Sequence, residues 1–377
     1  MALSLHSPRR RVPLARRALF QDRRRAALAA GGVAAALLLV LLLDGIVAGG
    51  MRQVTAYLRS SPADVIVAQE GVKTMHMSVS AMPADTVDLV RLVDGVAWAE
   101  GLHYASSTIT TPEGRELSYV FGYDPAGRLG PRALTSGSAP GAGEALVDEV
   151  AADRIGIDIG DAVQVFGEPF TVSGLFDDGT SMINTITFIT AADYTRLRGE
   201  PIAYVFAGAN PGVSDEALAA RVASALPTAT VQTRDGFVRE EAAIVGDMAA
   251  DLMQIMSIVG FLIALAVIGL TLFTLTLSKL REHAVVKALG SRNRGVGAVV
   301  LTQAVWSVTV ALALATLLAV LIGGLVTSMS PALLVTIEPS SVLRAGIGAL
   351  IVGALGSVVP LRRVFRVDPA TAFRRAS

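Results

Sequence analysis

The sequence contains no cysteine, which excludes a disulfide scaffold, thiolate metal ligation and C-x-x-C chemistry. Its four histidines, His6, His76, His103 and His283, lie far apart, and no H-E-x-x-H spacing occurs, so no metal site is expected. There is no G-x-x-x-x-G-K-[ST] loop to cradle phosphates, so the chain holds no ATP through a phosphate loop of its own. Aromatic residues are scarce at 5%, and lysine is reduced to Lys73, Lys279 and Lys287. The neighbouring acids Asp177-Asp178 and Glu240-Glu241 suggest paired carboxylates, but adjacent residues on a strand point to opposite faces, and both pairs read as solvated surface. No catalytic constellation remains. The chain is expected to be neither an enzyme nor a nucleic-acid binder, and to bind no cofactor of its own.

What is present is apolar mass, 52% of 377 residues, and sharply sorted charge. Uncharged runs cover residues 26–43, 252–278, 295–337 and 345–361. A membrane-spanning helix needs about 20 apolar residues, because each adds about 1.5 Å across a hydrocarbon core about 30 Å thick. The runs therefore predict four crossings, at 26–48, 252–278, 295–324 and 343–361. The third run is too long for one helix and is closed at Gly323 and Gly324, leaving 325–342, with Pro331 and Pro339, as a short outer loop. A cleaved signal peptide is the competing reading of the first run, but signal cores span only about 7 to 15 apolar residues.

Orientation follows from charge. Arginines crowd the leader 1–25, the loop 279–294 carries Lys279, Arg281, Lys287, Arg292 and Arg294, and the tail 362–377 carries Arg362, Arg363, Arg366, Arg374 and Arg375. Residues 49–251 hold 27 acids against 13 bases. Both termini and the loop are thus expected in the cytoplasm, and 49–251 outside it. The preference for arginine over lysine and the abundance of alanine and glycine point to a high-GC bacterium, and so to a bacterial inner membrane. The leader's Val12, Leu14, Leu19 and Phe20 suit either an amphipathic surface helix or a solvated basic flank.

Residues 49–251 read as mixed α/β. Ala63 to Ala68 has a buried-strand pattern, and Ala84 to Val93 a helical one. Turn signals at Gly160-Asp161 and Gly167-Glu168-Pro169 bracket alternating Val163 and Val165, and Phe170, Val172 and Phe176 follow, which predicts a hairpin. Ser214 caps a helix running to Leu226. Thr135 to Gly143 reads as a linker.

Three groups of residues are candidates for function. In Lys279 to Arg294, Leu280, Ala284, Val285, Ala288 and Leu289 form one apolar helical face, opposite Lys279, Glu282, His283 and Lys287, and Gly290 closes the helix. The result is an amphipathic elbow, although periodicity alone favours an ordinary membrane-surface helix between two crossings. Ala345, Ala349, Gly353 and Ser357 place a small side chain at every fourth position, which lets helix backbones approach. Asp44 lies near an interface, as a solvated carboxylate or a substrate-coordinating acid. Met51, Met248, Met253 and Met256 lie at the same expected level, lining a hydrophobic or haem site or filling a core.

The stretch Leu280-Arg281-Glu282-His283-Ala284-Val285-Val286-Lys287-Ala288-Leu289-Gly290 resembles the coupling segment of the FtsX/MacB/LolC-like ABC transporter permeases. Pro360-Leu361-Arg362-Arg363 and Val367-Asp368-Pro369-Ala370 resemble that family's closing motif. The coupling stretch, with Val231 to Glu241, looks most like the DevC and HrtB branches. The resemblance implies a fold of four transmembrane helices with an inserted extracytoplasmic α/β domain of the MacB-like periplasmic core type. It also implies a dimer working with two cytoplasmic ATPase subunits that carry ATP and Mg, in mechanotransmission. Leu280, Arg281, Glu282, Val285, Lys287, Leu289 and Gly290 would then be the ATPase-coupling residues. Export of a hydrophobic or envelope-associated compound is the leading implication, and mechanical regulation of a cell-wall hydrolase the alternative. Lipid is the remaining expected partner.

Overall fold

In the structure, a computed structural model that describes residues 23–76, 78–177, 179–181, 184–278 and 293–365, apolar and mixed stretches separate into two units. A helical unit comprises residues up to Gly45, Asp251–Gly324 and Thr336 onward; an α/β unit comprises Ile46–Ala250 with Leu325–Val335. Residues 279–292 of the elbow, with all seven coupling residues, lie outside the described residues.

The α/β unit begins at the end of α1 (Arg23–Val54), followed by α2 (Ala56–Ser60) and β1 (Val65–Gln69). Alternation along β1 sends Val65 and Val67 into one core and Ile66 and Ala68 into another. The elements that follow are α3 (Thr86–Arg91), β2 (Val96–Thr110), β3 (Arg115–Tyr123), β4 (Leu134–Gly137), β5 (Glu144–Asp148) and α4 (Glu149–Ile155). Next come β6 (Ala162–Val165), β7 (Glu168–Phe176), β8 (Thr185–Thr190), α5 (Ala191–Arg198), β9 (Tyr204–Ala209), α6 (Asp215–Ala225) and β10 (Ala229–Thr233). The strands pair in the order β10-β1-β9-β2-β3-β8-β5-β7-β4, with β6 against β2 and β7.

The 15-residue β2 organises the sheet, because its first half pairs with β9 and its second half with β3. On one side of β1 and β9, α3 and α6 bury Val90, Leu218 and Val222 against Val65, Val67 and Val205. At the far end, α4 packs Ala151, Ala152 and Ile155 on Val120, Val147, Val163 and Val172. Between these lies an aromatic core in which Tyr57 sits 4.7 Å from Phe121, and Phe188 5.3 Å from Phe121, ring to ring. Such pairs prefer tilted or edge-on contact, as here.

Local chemistry accounts for the element ends. Ser214 Oγ accepts from the Ala217 amide at 3.3 Å at the start of α6. Asp148, fully buried, caps α4 through the Val150 and Ala151 amides and also accepts from the Gly179 amide at 2.8 Å and from the Thr180 hydroxyl. The expected hairpin is β6–β7, with Val163 opposite Phe170. Its turn falls at Phe166-Gly167, one residue before the expected place, with φ of 54° and 83°. Positive φ at both positions is what a two-residue hairpin turn of this hand requires. The expected linker at Thr135 contains part of β4, which pairs antiparallel with β7 as an edge strand.

The helical unit contains most of α1, the later part of α7 (Arg234–Ser278), most of α8 (Asn293–Met329) and α9 (Pro339–Phe365). Its centre is made of small residues: Ala311, Ala315 and Ala319 of α8 are fully buried, against Val33, Leu37 and Leu41 of α1 and Ala349 and Val352 of α9. Large apolar side chains point outward, among them Leu317, Leu321 and Ile351, each more than half exposed. Water would select the reverse arrangement. In lipid, apolar surface gains nothing by being hidden, and small residues inside let helices touch. Among the described residues, Ala30–Val54 and Val305–Met329 are long and apolar enough to cross a bilayer, while Ile258–Val267 and Pro339–Leu355 are shorter apolar stretches. Two spans rather than four therefore meet that criterion. The third expected crossing also runs beyond its expected end at Gly324, to Met329, because glycine in an apolar helix does not end it.

Candidate functional site

A tightly organised polar group of the α/β unit joins α7 to the segment between β1 and α3. The first turns of α7 present Phe237, Glu241, Ile244, Val245 and Met248 at helical spacing. Phe237 is fully buried, and Glu241, on the same stripe, is 1% exposed. The sequence reading assigned Glu241 to a solvated surface. It sits on a helix, so its neighbour Glu240 faces water while Glu241 turns inward. The signal was available: Glu241 follows Phe237 by four residues and precedes Ile244 by three.

A buried carboxylate needs donors, and Glu241 has three. It accepts from the Met75 amide at 2.7 Å, the His76 amide at 3.1 Å and the His76 ring Nδ1. The same segment is held from the sheet. Tyr204 of β9 donates to the Thr74 carbonyl at 3.0 Å, and Tyr104 of β2 to the Met75 carbonyl at 3.0 Å. The backbone of 74–76 is thus clasped from a helix and from two strands. Burial pushes the Tyr119 hydroxyl up to about 12, with the neighbouring Tyr104 hydroxyl opposing the shift and Glu241 adding to it. Burial also raises Tyr104 and Tyr204, and the Glu241 carboxylate adds to both. These tyrosines are neutral donors, which is what a carboxylate-centred cluster requires.

Beside this cluster, His103 of β2 stacks on Tyr194 at 5.0 Å, and its Nδ1 lies 2.9 Å from the Pro201 carbonyl. Burial lowers its proton affinity, against the opposing pull of that carbonyl. A histidine lowered in the folded state contributes stability that is complete above its unfolded value of about 6.5 and is lost as pH falls through the folded value. The denaturation midpoint is therefore expected to decline below about pH 6.5, and His103→Gln to flatten that decline. An identical slope in the variant counts against the assignment.

The other expected site residues are dispersed. Asp44 of α1 is paired: Arg344 of α9 donates to it at 3.0 Å and also to the Ser341 hydroxyl at 3.2 Å. Met51 is half-buried, and its methyl lies 2.7 Å from where a Cβ on Gly246 would stand. Met248 is 63% exposed. Met253 and Met256 lie on α7, with side chains outside the described structure, as is that of Ser357. Ala349 and Gly353 are buried and Ala345 half-buried. The matching alanine row of α8 escaped the sequence reading because alanine is abundant throughout the chain.

Helices that are apolar outside and small inside, in a chain that also carries an α/β domain, mark a membrane protein. Residues 26–225 match the MacB-like periplasmic core domain, and residues 254–369 the FtsX-like permease C-terminal domain. The chain belongs to the FtsX/MacB-like ABC transporter permeases. It is 26% identical over 343 residues, 88% of its length and 90% of theirs, to the uncharacterized ABC transporter permeases Mb2592 of Mycobacterium bovis and Rv2563 of Mycobacterium tuberculosis. Similarity extends to the extracellular domain of the noncanonic ABC-type transporter YknZ from Gram-positive bacteria, at 12% identity and TM-score 0.37, over 45% of this chain and 99% of that one. The periplasmic region of MacB from Actinobacillus actinomycetemcomitans gives 11% identity and TM-score 0.37, over 48% and 94%. The family implies a cytoplasmic ATPase partner.

Proposed function

We propose that the chain is the membrane subunit of an ABC exporter that crosses the bilayer four times, with both termini and the elbow 279–294 in the cytoplasm and the α/β domain outside. It works as a homodimer on two ATPase subunits and extrudes a hydrophobic or envelope-associated compound. What supports this is the match, in one chain and in order, to both family domains, combined with a sequence that has no phosphate loop. The energy source is then a partner, and ATP and Mg reside there. The charge sorting of the sequence supports the orientation, and the apolar face of Leu280, Val285 and Leu289 supports docking at the elbow.

Leu289→Asp places an unpaired charge in that contact, and Glu282→Lys reverses the acid of a basic loop. Both are expected to lower copurification of the ATPase, and ATP turnover in the complex, by tenfold or more with membrane insertion unchanged, since a charge left unpaired at an interface core costs about 2 kcal/mol or more. Wild-type copurification and turnover in both variants would refute docking at the elbow.

A further inference from the structure

His76 lines a cavity of about 630 Å³ that lies wholly within the α/β unit, a size suited to a small organic ligand. Apolar Val79, Leu117, Ile244, Val245 and Met248 form part of its lining. Polar His76, Tyr104 and Tyr119 line it as well, the Tyr119 ring lying 4.9 Å from His76 and 5.1 Å from Tyr104. Val79, Leu117 and Met248 are exposed, at 84%, 43% and 63%, although nothing in a strand or helix surface requires large apolar residues there.

The His76 ring is the informative group. It is 6% exposed, its Nδ1 is committed to Glu241, and its Nε2 has no hydrogen-bond partner. A carboxylate accepts only, so Nδ1 carries a proton, and Nε2 is the ring atom left without a partner. Leaving such a nitrogen buried and unpaired is unfavourable, since water satisfies it in the unfolded chain. Tyr104 already donates to the Met75 carbonyl. Arg198, which also lines the cavity, stands 5.2 Å over the Phe166 ring and interacts with Tyr194. The open valence among the lining residues is therefore His76 Nε2, and the Arg198 charge in the same lining disfavours an ammonium.

We propose that this cavity is a binding site for an uncharged amphipathic alcohol, whose hydroxyl donates to His76 Nε2 and whose hydrocarbon body lies along Val79, Leu117, Val245 and Met248. The hydroxyl, His76 and Glu241 then form one continuous donor-to-acceptor chain, and every buried polar atom of the ring is satisfied. The site requires neither ATP nor the ATPase, and stands independently of the exporter reading.

The test uses full-length protein labelled with 15N-histidine in lipid nanodiscs, without ATP or ATPase, titrated with 1-octanol. A saturable shift of one histidine Nε2 resonance is expected, absent from His76→Gln. Methyl octyl ether, which has no donor, is expected to bind at least tenfold more weakly. Val79→Trp, at a position on the cavity rim that is open to solvent, is expected to abolish the shift without disturbing the fold. This keeps the test decisive if His76→Gln does not fold. Equal binding of alcohol and ether, an unaffected titration in Val79→Trp, no saturable shift, or tighter binding of octanoate, which would assign the head group to Arg198, each overturns the proposal. None of these outcomes bears on ATPase copurification, and loss of the latter leaves the octanol titration unchanged.

Discussion

Glu241→Ala is expected to destabilise the α/β domain by about 3–5 kcal/mol, because it removes the shared acceptor of three buried donors. The carboxylate alone satisfies the Met75 amide, the His76 amide and the His76 ring proton. All three donors become unpaired in a place too enclosed for ready solvation, and each unpaired buried donor costs about 1–3 kcal/mol. Part of that cost is recovered if the segment peels away, which fixes the estimate below the sum. Glu241→Gln keeps an acceptor oxygen for one amide but turns an NH2 toward other donors, so it is expected to lose about half as much. His76→Ala removes one donor together with the orphaned Nε2, and is expected to be milder than either. The double variant should then show a coupling energy of about 1 kcal/mol or more, as contacting residues do. Denaturant titration followed by Trp98 fluorescence reads the α/β unit, and Glu240→Ala, one residue away on the exposed face, is the matched control. A Glu241→Ala midpoint equal to the control would mean that water satisfies the clasp.

The features of the fold that were legible from sequence are those set by local chemistry. The β6–β7 hairpin was visible because apolar alternation and glycine fix a turn within a few residues, and α6 because Ser214 caps an apolar stripe ending in Val222 and Leu226. The division of β2 between two neighbours was not, since a strand's partners are chosen by packing far along the chain. The clasp was hidden for a related reason. An acid within the stripe Phe237, Ile244, Val245 and Met248 conflicts with burial until its donors are known, and those donors are backbone amides 166 and 165 residues away. Such a conflict between local pattern and polarity is itself a marker of a specific site. The small-residue rows of the helical unit lie at the other extreme: Ala349 and Gly353 stood out by spacing, whereas Ala311, Ala315 and Ala319 became distinct only once Leu317 and Leu321 proved to face outward.

Gly49→Ala is expected to be among the most damaging single-methyl changes in the chain. Gly49 lies in α1, where its own conformation is helical, so alanine would favour the helix by about 1 kcal/mol if space allowed. Space does not allow it: a Cβ there would stand 1.6 Å from the Leu334 carbonyl oxygen and 2.5 Å from its carbon. Those are backbone atoms, which no rotamer change moves. The Leu334 backbone is anchored close by, since Gln53 donates to the Pro331 carbonyl at 3.0 Å, the Val335 amide to the Thr327 hydroxyl at 3.2 Å and the Thr327 hydroxyl to the Leu333 carbonyl at 3.3 Å. Relief of the clash requires the segment to shift as a whole and those bonds to break, so the expected loss is about 3 kcal/mol, the upper end of ordinary overpacking. Gly31→Ala supplies the comparison in the same helix, because nothing lies within 4 Å of its added Cβ. It is expected to be neutral or slightly stabilising. Thermal unfolding of both variants in nanodiscs should separate them by about 6–12 °C, taking about 2–4 °C per kcal/mol for a unit of this size. Equal melting temperatures would mean that the Leu334 segment does not pack on α1 at Gly49.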